Sequence, residues 1–491
     1  MKILFLVSPR DGGRWVIREY KDGGYDIPHN PNLMPTMISH VMRHFPQYEI
    51  KIVDSHLLDL NYNDIKLSVD EINPDLIISF LGVYTVPNDR FCFELSYPTI
   101  VVLPEAIDPI ELNEVYDIKA SYFTKLEIEN TVVDGLKEFE IFRDIINTPG
   151  FLIRKDHNFI DTGDRPLNDI SLLPFPAYDF INVNKYLELQ KQMAGTTWVY
   201  LYTMRGCPYN CTFCASDKVK MKVRYRTSDQ VLEEINYFNY NYGYNTFYFH
   251  DNEFSINRIR AVDICDKIIS QDLNIRFATV DSVKLVDEEL IKILYKAGCR
   301  FIRFGVETAD ENIQRSIKKY LANNQVINTF RLCRKYGIHT NAFFIIGFPG
   351  ETKRTVRQTL SLLKKSKTSR LTITSLFPKP CSIFYYELKR QNNLLEKDWS
   401  KYVYTDRLLF KHDYYNTIND IYDAINMIKL TFDRYVAFRE IFRNTENKTL
   451  LNRIVRYLIT YPLCRKLSKV IPYLNNYIKS IYIEPKTKYE V

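Results

Sequence analysis

The stretch TMRGCPYNCTFCASDK, residues 203–218, gathers three of the chain's nine cysteines, Cys207, Cys211 and Cys214, at spacing C-x3-C-x2-C. Soft thiolates this close select zinc or an iron–sulfur cluster. A structural zinc site takes four closed ligands, usually from a second C-x2-C pair or two histidines. None of the eight histidines lies in this loop, and no other cysteine pair is close in sequence. An iron–sulfur cluster normally takes four thiolates, so three leave one iron open to a small molecule. Gly206 and Pro208 favour a tight wrapping loop, and Phe213 is an apolar shield beside the last cysteine. Three reduced core cysteines or a zinc site are the plainer alternatives. The other six, Cys92, Cys265, Cys299, Cys333, Cys381 and Cys464, are scattered singly, which is no disulfide framework and suits a reducing compartment.

Outward from the loop, β-rich runs at 198–204, 246–249, 275–278, 300–304, 340–346 and 371–375 alternate with helical patterns. One such pattern is SDQVLEEINYFNY, 228–240, with Ser228 as the expected N-cap and Glu233 and Glu234 in the early turns. Six βα units predict a partial (β/α)6 TIM-type barrel with functional residues at the carboxyl ends of its strands. Upstream, runs at 2–7, 49–54, 75–82 and 99–104, with the helical PTMISHVMRHF at 35–45, predict a small doubly wound Rossmann-like α/β domain. Prolines 166, 174 and 176 predict an extended connector without regular helix. The expected division is a Rossmann-like domain over 1–145, a linker over 146–194, the barrel over 195–388 and a helical region over 389–491.

Apolar residues at 46% and charged residues at 25% allow a large core and set aside a disordered or repetitive chain. The opening MKILFLV is too short for a signal peptide, and no uncharged apolar run nears the ~18 residues that span a bilayer. A net charge of +7 over 491 residues is too mild to indicate nucleic acid. These features predict a soluble cytoplasmic protein.

The cysteine loop after the first barrel strand, with an aromatic before the last cysteine, resembles the radical S-adenosylmethionine (SAM) superfamily. The resemblance implies a [4Fe–4S] cluster on Cys207, Cys211 and Cys214. The open iron would chelate SAM, and one electron would cleave it to methionine and a 5′-deoxyadenosyl radical that takes hydrogen from a substrate. It further implies SAM contacts from Asn252 and Glu253 in FYFHDNEFS (247–255), where Asp251 is also acidic. Others would come from Glu307, at the strand end within FIRFGVETAD (301–310), and from Ile345 and Gly347 in NAFFIIGFPGET (341–352) against the adenine. Phe213 would border the cofactors. A helix N-cap cluster, a structural ion pair and plain core are the respective alternatives.

Over residues 1–400 the chain resembles the branch whose N-terminal domain is similar to a cobalamin (B12) binding domain. ISLLPFPAYDFINVNKY at 170–186 is similar to that branch's linker. FPKPCSIFYYELKRQNNL at 377–394 is similar to its proline–glycine–threonine stretch, with Cys381 and Ser382 replacing glycine and threonine. Ser79 and Leu81 echo a serine-x-leucine element lining the nucleotide tail. The D-x-H-x-x-G loop after the first strand is absent from 8–24, and His56 reads as a surface or cap residue. VVLPEA at 101–106 stands where a glycine pair is expected, and bulky residues close the backbone approach that glycine allows.

The reading is an enzyme that cleaves SAM reductively and modifies an unknown substrate by hydrogen abstraction, supplied by an electron donor such as flavodoxin or ferredoxin. Cobalamin binding stays open. A cobalamin-dependent radical methyltransferase is the enzymatic alternative, and a metal-binding scaffold or B12-type sensor the non-enzymatic one. A basic, tyrosine-rich segment at 451–483, lacking acidic residues, predicts either a helical lid or contact with an anionic membrane surface, the latter suiting a lipid or natural-product intermediate as substrate.

Overall fold

The apolar runs of the N-terminal third become β1 (Lys2–Val7), β2 (Glu49–Asp54), β3 (Leu76–Phe80) and β4 (Thr99–Val102), all parallel, with every residue of β3 and β4 buried. The computed structural model describes residues 1–10, 15, 28–82, 84–103, 108–125, 127–156, 158–215, 222–402 and 405–441. It forms two compact units. The first comprises Met1–Met193, Thr197–Tyr244 and Phe377–Lys411, the second Ala194–Thr196, Asn245–Leu376 and His412–Val491.

In the first unit the sheet continues through β5 (Tyr122–Thr124) into an antiparallel hairpin, β6 (Phe151–Lys155) and β7 (Asn158–Asp161), in the order β2-β1-β3-β4-β5-β6-β7. Phe5 at the centre pairs with Ile52 on one side and Ile78 on the other. The helix Ile128–Phe142 approaches β6 at Gly135, where a β-carbon would stand 2.7 Å from the Phe151 ring. The expected connector over 146–194 is corrected here. Its first part supplies the hairpin, and a regular helix forms at Val183–Ala194, beyond the last proline, Pro176. Only over the prolines does irregular chain with 3-10 turns at Ile170–Leu172 and Tyr178–Phe180 prevail.

Still in the first unit, the run expected at 198–204 divides into β8 (Val199–Leu201) and β9 (Met204–Arg205), the latter antiparallel to β10 (Arg224–Tyr225). The cysteine loop hangs between β9 and β10. The helix Ser228–Tyr242 starts one residue earlier than read. Thr227 is its N-cap, in a capping box with Gln230, because the Thr227 hydroxyl accepts the Gln230 amide. Glu234 is buried and bound by Arg226 and the Tyr178 hydroxyl.

In the second unit β11 (Thr246–Phe249), β12 (Arg276–Asp281), β13 (Cys299–Glu307), β14 (His339–Ile346) and β15 (Arg370–Ser375) form a parallel sheet in that order. The helices Arg258–Ser270, Glu288–Lys296, Asn323–Lys335 and Lys353–Ser366 alternate with them, giving the expected βα rhythm. On β13 the alternating Ile302, Phe304 and Val306 are buried toward the helices, with Phe304 meeting Phe330 at 5.2 Å. Among the described residues from 389, the part before Ile418 is less helical than expected. It is largely irregular, with a 3-10 turn at Trp399–Lys401, until the helix Ile418–Ile441. Among the described residues no helix is long and apolar enough to cross a membrane. The segment 451–483 lies outside the described residues.

Candidate functional site

Two buried ion pairs fix the ends of the cysteine loop. Arg205 on β9 pairs with Glu129 at 2.5 Å, and Arg224 on β10 pairs with Glu127 at 2.5 Å. Burial would raise the Glu129 carboxyl, but the Arg205 guanidinium outweighs it and holds the group below its usual range. Sequence spacing gave no sign of these partners, which lie 76 residues apart in the first pair. Within the loop the Cys214 amide donates to the Cys211 carbonyl at 3.0 Å, and the Phe384 amide donates to the Thr212 carbonyl at 2.9 Å. Cys211 is buried, while Cys207, Phe213 and Cys214 are partly exposed. Among the described residues no three histidine, cysteine, aspartate or glutamate side chains stand in an arrangement that would hold a metal ion, the cysteine trio included. The fit to a cluster rests on the donor set itself: three thiols in one short, anchored, accessible loop.

The helix at Ile383–Arg390 that pins this loop begins at the sequence's substituted motif. Ser382 is its N-cap, the hydroxyl accepting the Tyr385 amide at 3.0 Å, as a threonine would. Cys381 adopts φ +68°, a conformation that favours glycine, and its sulfur accepts the Asp108 amide at 3.3 Å.

In the second unit the acidic residues meet. Glu253, after β11, accepts the Ser282 amide at 2.5 Å; Asp281, ending β12, accepts the Ser255 amide at 2.7 Å and the Thr279 hydroxyl at 3.1 Å. Burial and the nearby Glu307 push Glu253 up to about 7, against the opposing pull of Lys319 and the Ser282 amide. Burial and Glu253 push Asp281 well above its ordinary range. Glu307 ends β13 at φ +66°, beyond an irregular pairing with β14, and its carboxylate binds Lys319 Nζ at 2.9 Å. Lys319 passes over Gly305, where a β-carbon would stand 2.5 Å from Nζ and 2.6 Å from Glu307 Oε1. Lys319 escaped the sequence reading; the small residue two before Glu307 was its one trace. Acid exceeds base in this cluster, and the upward shifts mark a place that a cationic ligand group would relieve. Asp251 is buried and Asn252 partly exposed beside it.

At the end of β14, Ile345 is partly exposed, whereas Gly347 is closely covered. The Gly347 amide donates to Glu351 Oε2 at 2.6 Å, the Tyr415 hydroxyl donates to the same oxygen at 3.0 Å, and a β-carbon on Gly347 would lie 3.3 Å from the His412 ring. With φ +107° the position suits glycine, and its α-carbon face is occupied by this chain's own residues.

At the carboxyl edge of the first unit's sheet, the Ser79 hydroxyl donates to the Leu6 carbonyl at 2.8 Å, and Leu81 is buried. His56 is no surface residue: it is 6% exposed, its ring 4.8 Å from Trp15. The hydroxyls of Ser8, after β1, and Ser55, after β2, are buried without a hydrogen-bond partner among the described residues. Most of the 8–24 loop and residues 104–107 lie outside the description.

Residues 201–363 match the profile of the Radical SAM superfamily. The chain is 27% identical over 382 residues to an uncharacterized methyltransferase of Pyrococcus horikoshii, covering 74% of this chain and 81% of that one. Its fold is similar to the radical SAM methyltransferase TsrM of Kitasatospora setae, solved with cobalamin and a [4Fe–4S] cluster. The TM-score is 0.65 at 17% identity, over 79% of this chain and 75% of that one. It is also similar to the cobalamin-dependent SAM radical enzyme OxsB, with a TM-score of 0.68 at 15% identity, over 93% and 72% of the two chains.

Proposed function

We infer that this chain, a radical SAM enzyme by its residues 201–363, is a cobalamin-dependent radical methyltransferase. The observation that carries the inference is the first unit's parallel strand order β2-β1-β3-β4-β5. In this doubly wound order the ligand crevice lies beyond the carboxyl ends of β1 and β3, where the chain direction of the connections reverses. Ser8, with its buried hydroxyl open to a bond, follows β1 at that crevice, and Leu81 follows β3. Both would hold the corrin cofactor. Similarity to a methyltransferase over most of both chains supports the same reading.

Cys207, Cys211 and Cys214 would hold the cluster, and Glu253, Glu307 and Lys319 the charged end of SAM, with Asn252 and Ile345 beside it. When bound, the cluster supplies an open iron and an electron for cleaving SAM to methionine and a 5′-deoxyadenosyl radical, and cobalamin supplies a carrier for the methyl group. The chain's own part is positional. Arg205 and Arg224 anchor the loop on Glu129 and Glu127. Glu253 presents one carboxylate oxygen while its other is fixed by Ser282. Reductant would come from a small electron-transfer protein such as flavodoxin or ferredoxin.

A second reading, hydrogen abstraction without cobalamin, is favoured by the Ser79 hydroxyl's engagement with Leu6 and by the burial of His56 in aromatic packing. Protein purified anaerobically from a cobalamin-supplied host separates the two. Stoichiometric cobalamin, with S-adenosylhomocysteine formed alongside 5′-deoxyadenosine, is the expected result. An intact cluster with 5′-deoxyadenosine alone and no cobalamin overturns methyl transfer.

A further inference from the structure

The chain's excess positive charge is concentrated in one place. Residues 323–370 carry ten Lys or Arg and one acidic residue, Glu351, which is buried. That balance of +9 exceeds the +7 of the whole chain, so the remaining residues are together slightly acidic. The charges lie on two neighbouring helices of the second unit, Asn323–Lys335 and Lys353–Ser366. On the latter, Val356, Thr359, Leu362 and Leu363 are buried, while Lys353, Arg354, Arg357, Lys364 and Lys365 are exposed. Lys353, Arg357 and Lys364 follow one another at four and seven residues, so they form one line of about 16 Å along the helix. Arg334, near the end of the neighbouring helix, donates to the carbonyls of Ser366 and Lys367, both at 3.3 Å. The two helix ends are thereby joined into one surface, with Arg331 and Lys335 exposed beside them.

This arrangement works against the helix that carries it. Elsewhere in the unit, charge is matched to the backbone dipole or to an opposite neighbour. Glu288 and Glu289 open the helix Glu288–Lys296 and Lys296 closes it, and Arg315 pairs with Glu311 one turn away. Lys353–Ser366 does the reverse, with Lys353 and Arg354 in a first turn that has no acidic residue. Arg354 reaches the Asp310 carboxylate at 3.3 Å, but the side chains of Lys353, Arg357, Lys364 and Lys365 have no partner among the described residues. Like charges one turn apart, as in Lys353 and Arg357, destabilise a helix. A line of cations left without counter-charge is complementary to an anionic partner.

We propose that this face of the second unit docks on an anionic lipid surface, by charge and without insertion. The apolar residues of Lys353–Ser366 are committed to the core, so its cationic side chains alone meet the headgroups. The rest of the chain favours lipid over another polyanion. The helix Ile418–Ile441 packs against Lys353–Ser366, and beyond it in sequence the segment 451–483 has six Lys or Arg and no acidic residue, set among tyrosines, isoleucines and leucines. A nucleic-acid backbone uses such cations but not the apolar residues between them, whereas a lipid interface takes both. The proposal concerns where the enzyme works, and it stands whichever of the two reactions the site performs.

The test uses the full chain and sedimentation with vesicles of phosphatidylcholine, either alone or with about a third phosphatidylglycerol. The anionic vesicles bind at least about tenfold tighter, and the preference falls away as salt shortens the screening length. Arg357→Glu combined with Lys364→Glu and Lys365→Glu removes the preference. Lys51→Glu, Lys137→Glu and Lys155→Glu, at three exposed lysines of the first unit, make the same change in net charge and leave it in place. Should the first triple variant fail to fold by circular dichroism, Lys364→Glu alone is read in its place and weakens anionic binding severalfold. Equal binding of neutral vesicles, a preference that survives the helix substitutions, or an equal loss in the first-unit variant overturns the proposal. Tighter binding of a duplex DNA oligonucleotide than of anionic vesicles, lost in the same helix variant, overturns it in favour of nucleic acid.

Discussion

The Ser282 amide donates a 2.5 Å hydrogen bond to the carboxylate of Glu253. The residue before Ser282 returns the contact, because Asp281 accepts the Ser255 amide at 2.7 Å. The loops after β11 and β12 are thereby clasped by two carboxyl groups exchanged across them. Burial and the charge of Glu253 raise Asp281 well above its ordinary range, which favours its neutral form. Asparagine can replace a neutral carboxyl there. Asp281→Asn should fold close to wild type in urea titrations, whereas Asp281→Ala, which orphans the Ser255 amide, should lose about 1–3 kcal/mol.

SAM affinity should depend on pH through Glu253. The folded value of about 7 is raised above the ordinary carboxyl value, so the group is largely protonated at pH 6 and ionised at pH 8. A cationic ligand needs the ionised form. Calorimetric affinity for SAM should accordingly rise by about tenfold between those pH values. Glu253→Gln should bind weakly and flatten the dependence; an unchanged slope in that variant would remove Glu253 from the site.

Gly305→Ala tests the cluster without touching a charged residue. Its β-carbon would fall 2.5 Å from Lys319 Nζ and 2.6 Å from Glu307 Oε1, both far ends of flexible side chains. They can move aside, so stability should change by no more than about 1 kcal/mol. Separating Lys319 from Glu307 should weaken SAM binding with iron content unaltered.

The cysteine loop should respond at two levels. Replacing Cys207, Cys211 or Cys214 with alanine should abolish the about four irons per chain expected after anaerobic reconstitution. Bound zinc, or iron retained by the variants, would refute the assignment. Glu129→Ala leaves Arg205 buried without its counter-charge, so the first unit should be destabilised by about 3–5 kcal/mol. Iron would then be lost through loosening of the loop, although every thiol remains.

The sequence is most readable where one pattern has one cause. β1 and β11 fall on the expected residues because their mostly apolar runs admit few other structures, and β2, EIKIVD, because its charged and apolar residues alternate with the period of a strand. The hairpin β6–β7 and the helix Val183–Ala194 lie to either side of prolines confined to 166–176, which break regular structure only over their own span. Thr227 outcompeted Ser228 as the cap because Gln230 stands at the position that closes a capping box on Thr227. Acidic candidates such as Glu253 and Glu307 were visible at strand ends. Their partners Ser282 and Lys319 were not, since no local spacing records which distant residues a fold brings alongside.

Glu111, in the N-terminal part of the first unit, is bound by Tyr385 at 3.0 Å, Tyr386 at 3.2 Å and Lys389 at 2.6 Å, and Tyr116 reaches Asp398 at 2.9 Å. The unit that begins at Met1 is therefore finished only by residues up to Lys411. On the ribosome, all five strands from β11 to β15 emerge before that closing segment does. The growing chain must carry its first unit incomplete, with an acidic side chain awaiting its partners, while the later sheet is already free to assemble. A transcript cut short at residue 376 would leave that deficit permanent, so truncated products of this chain should be handled by chaperones and proteases as unfinished folds.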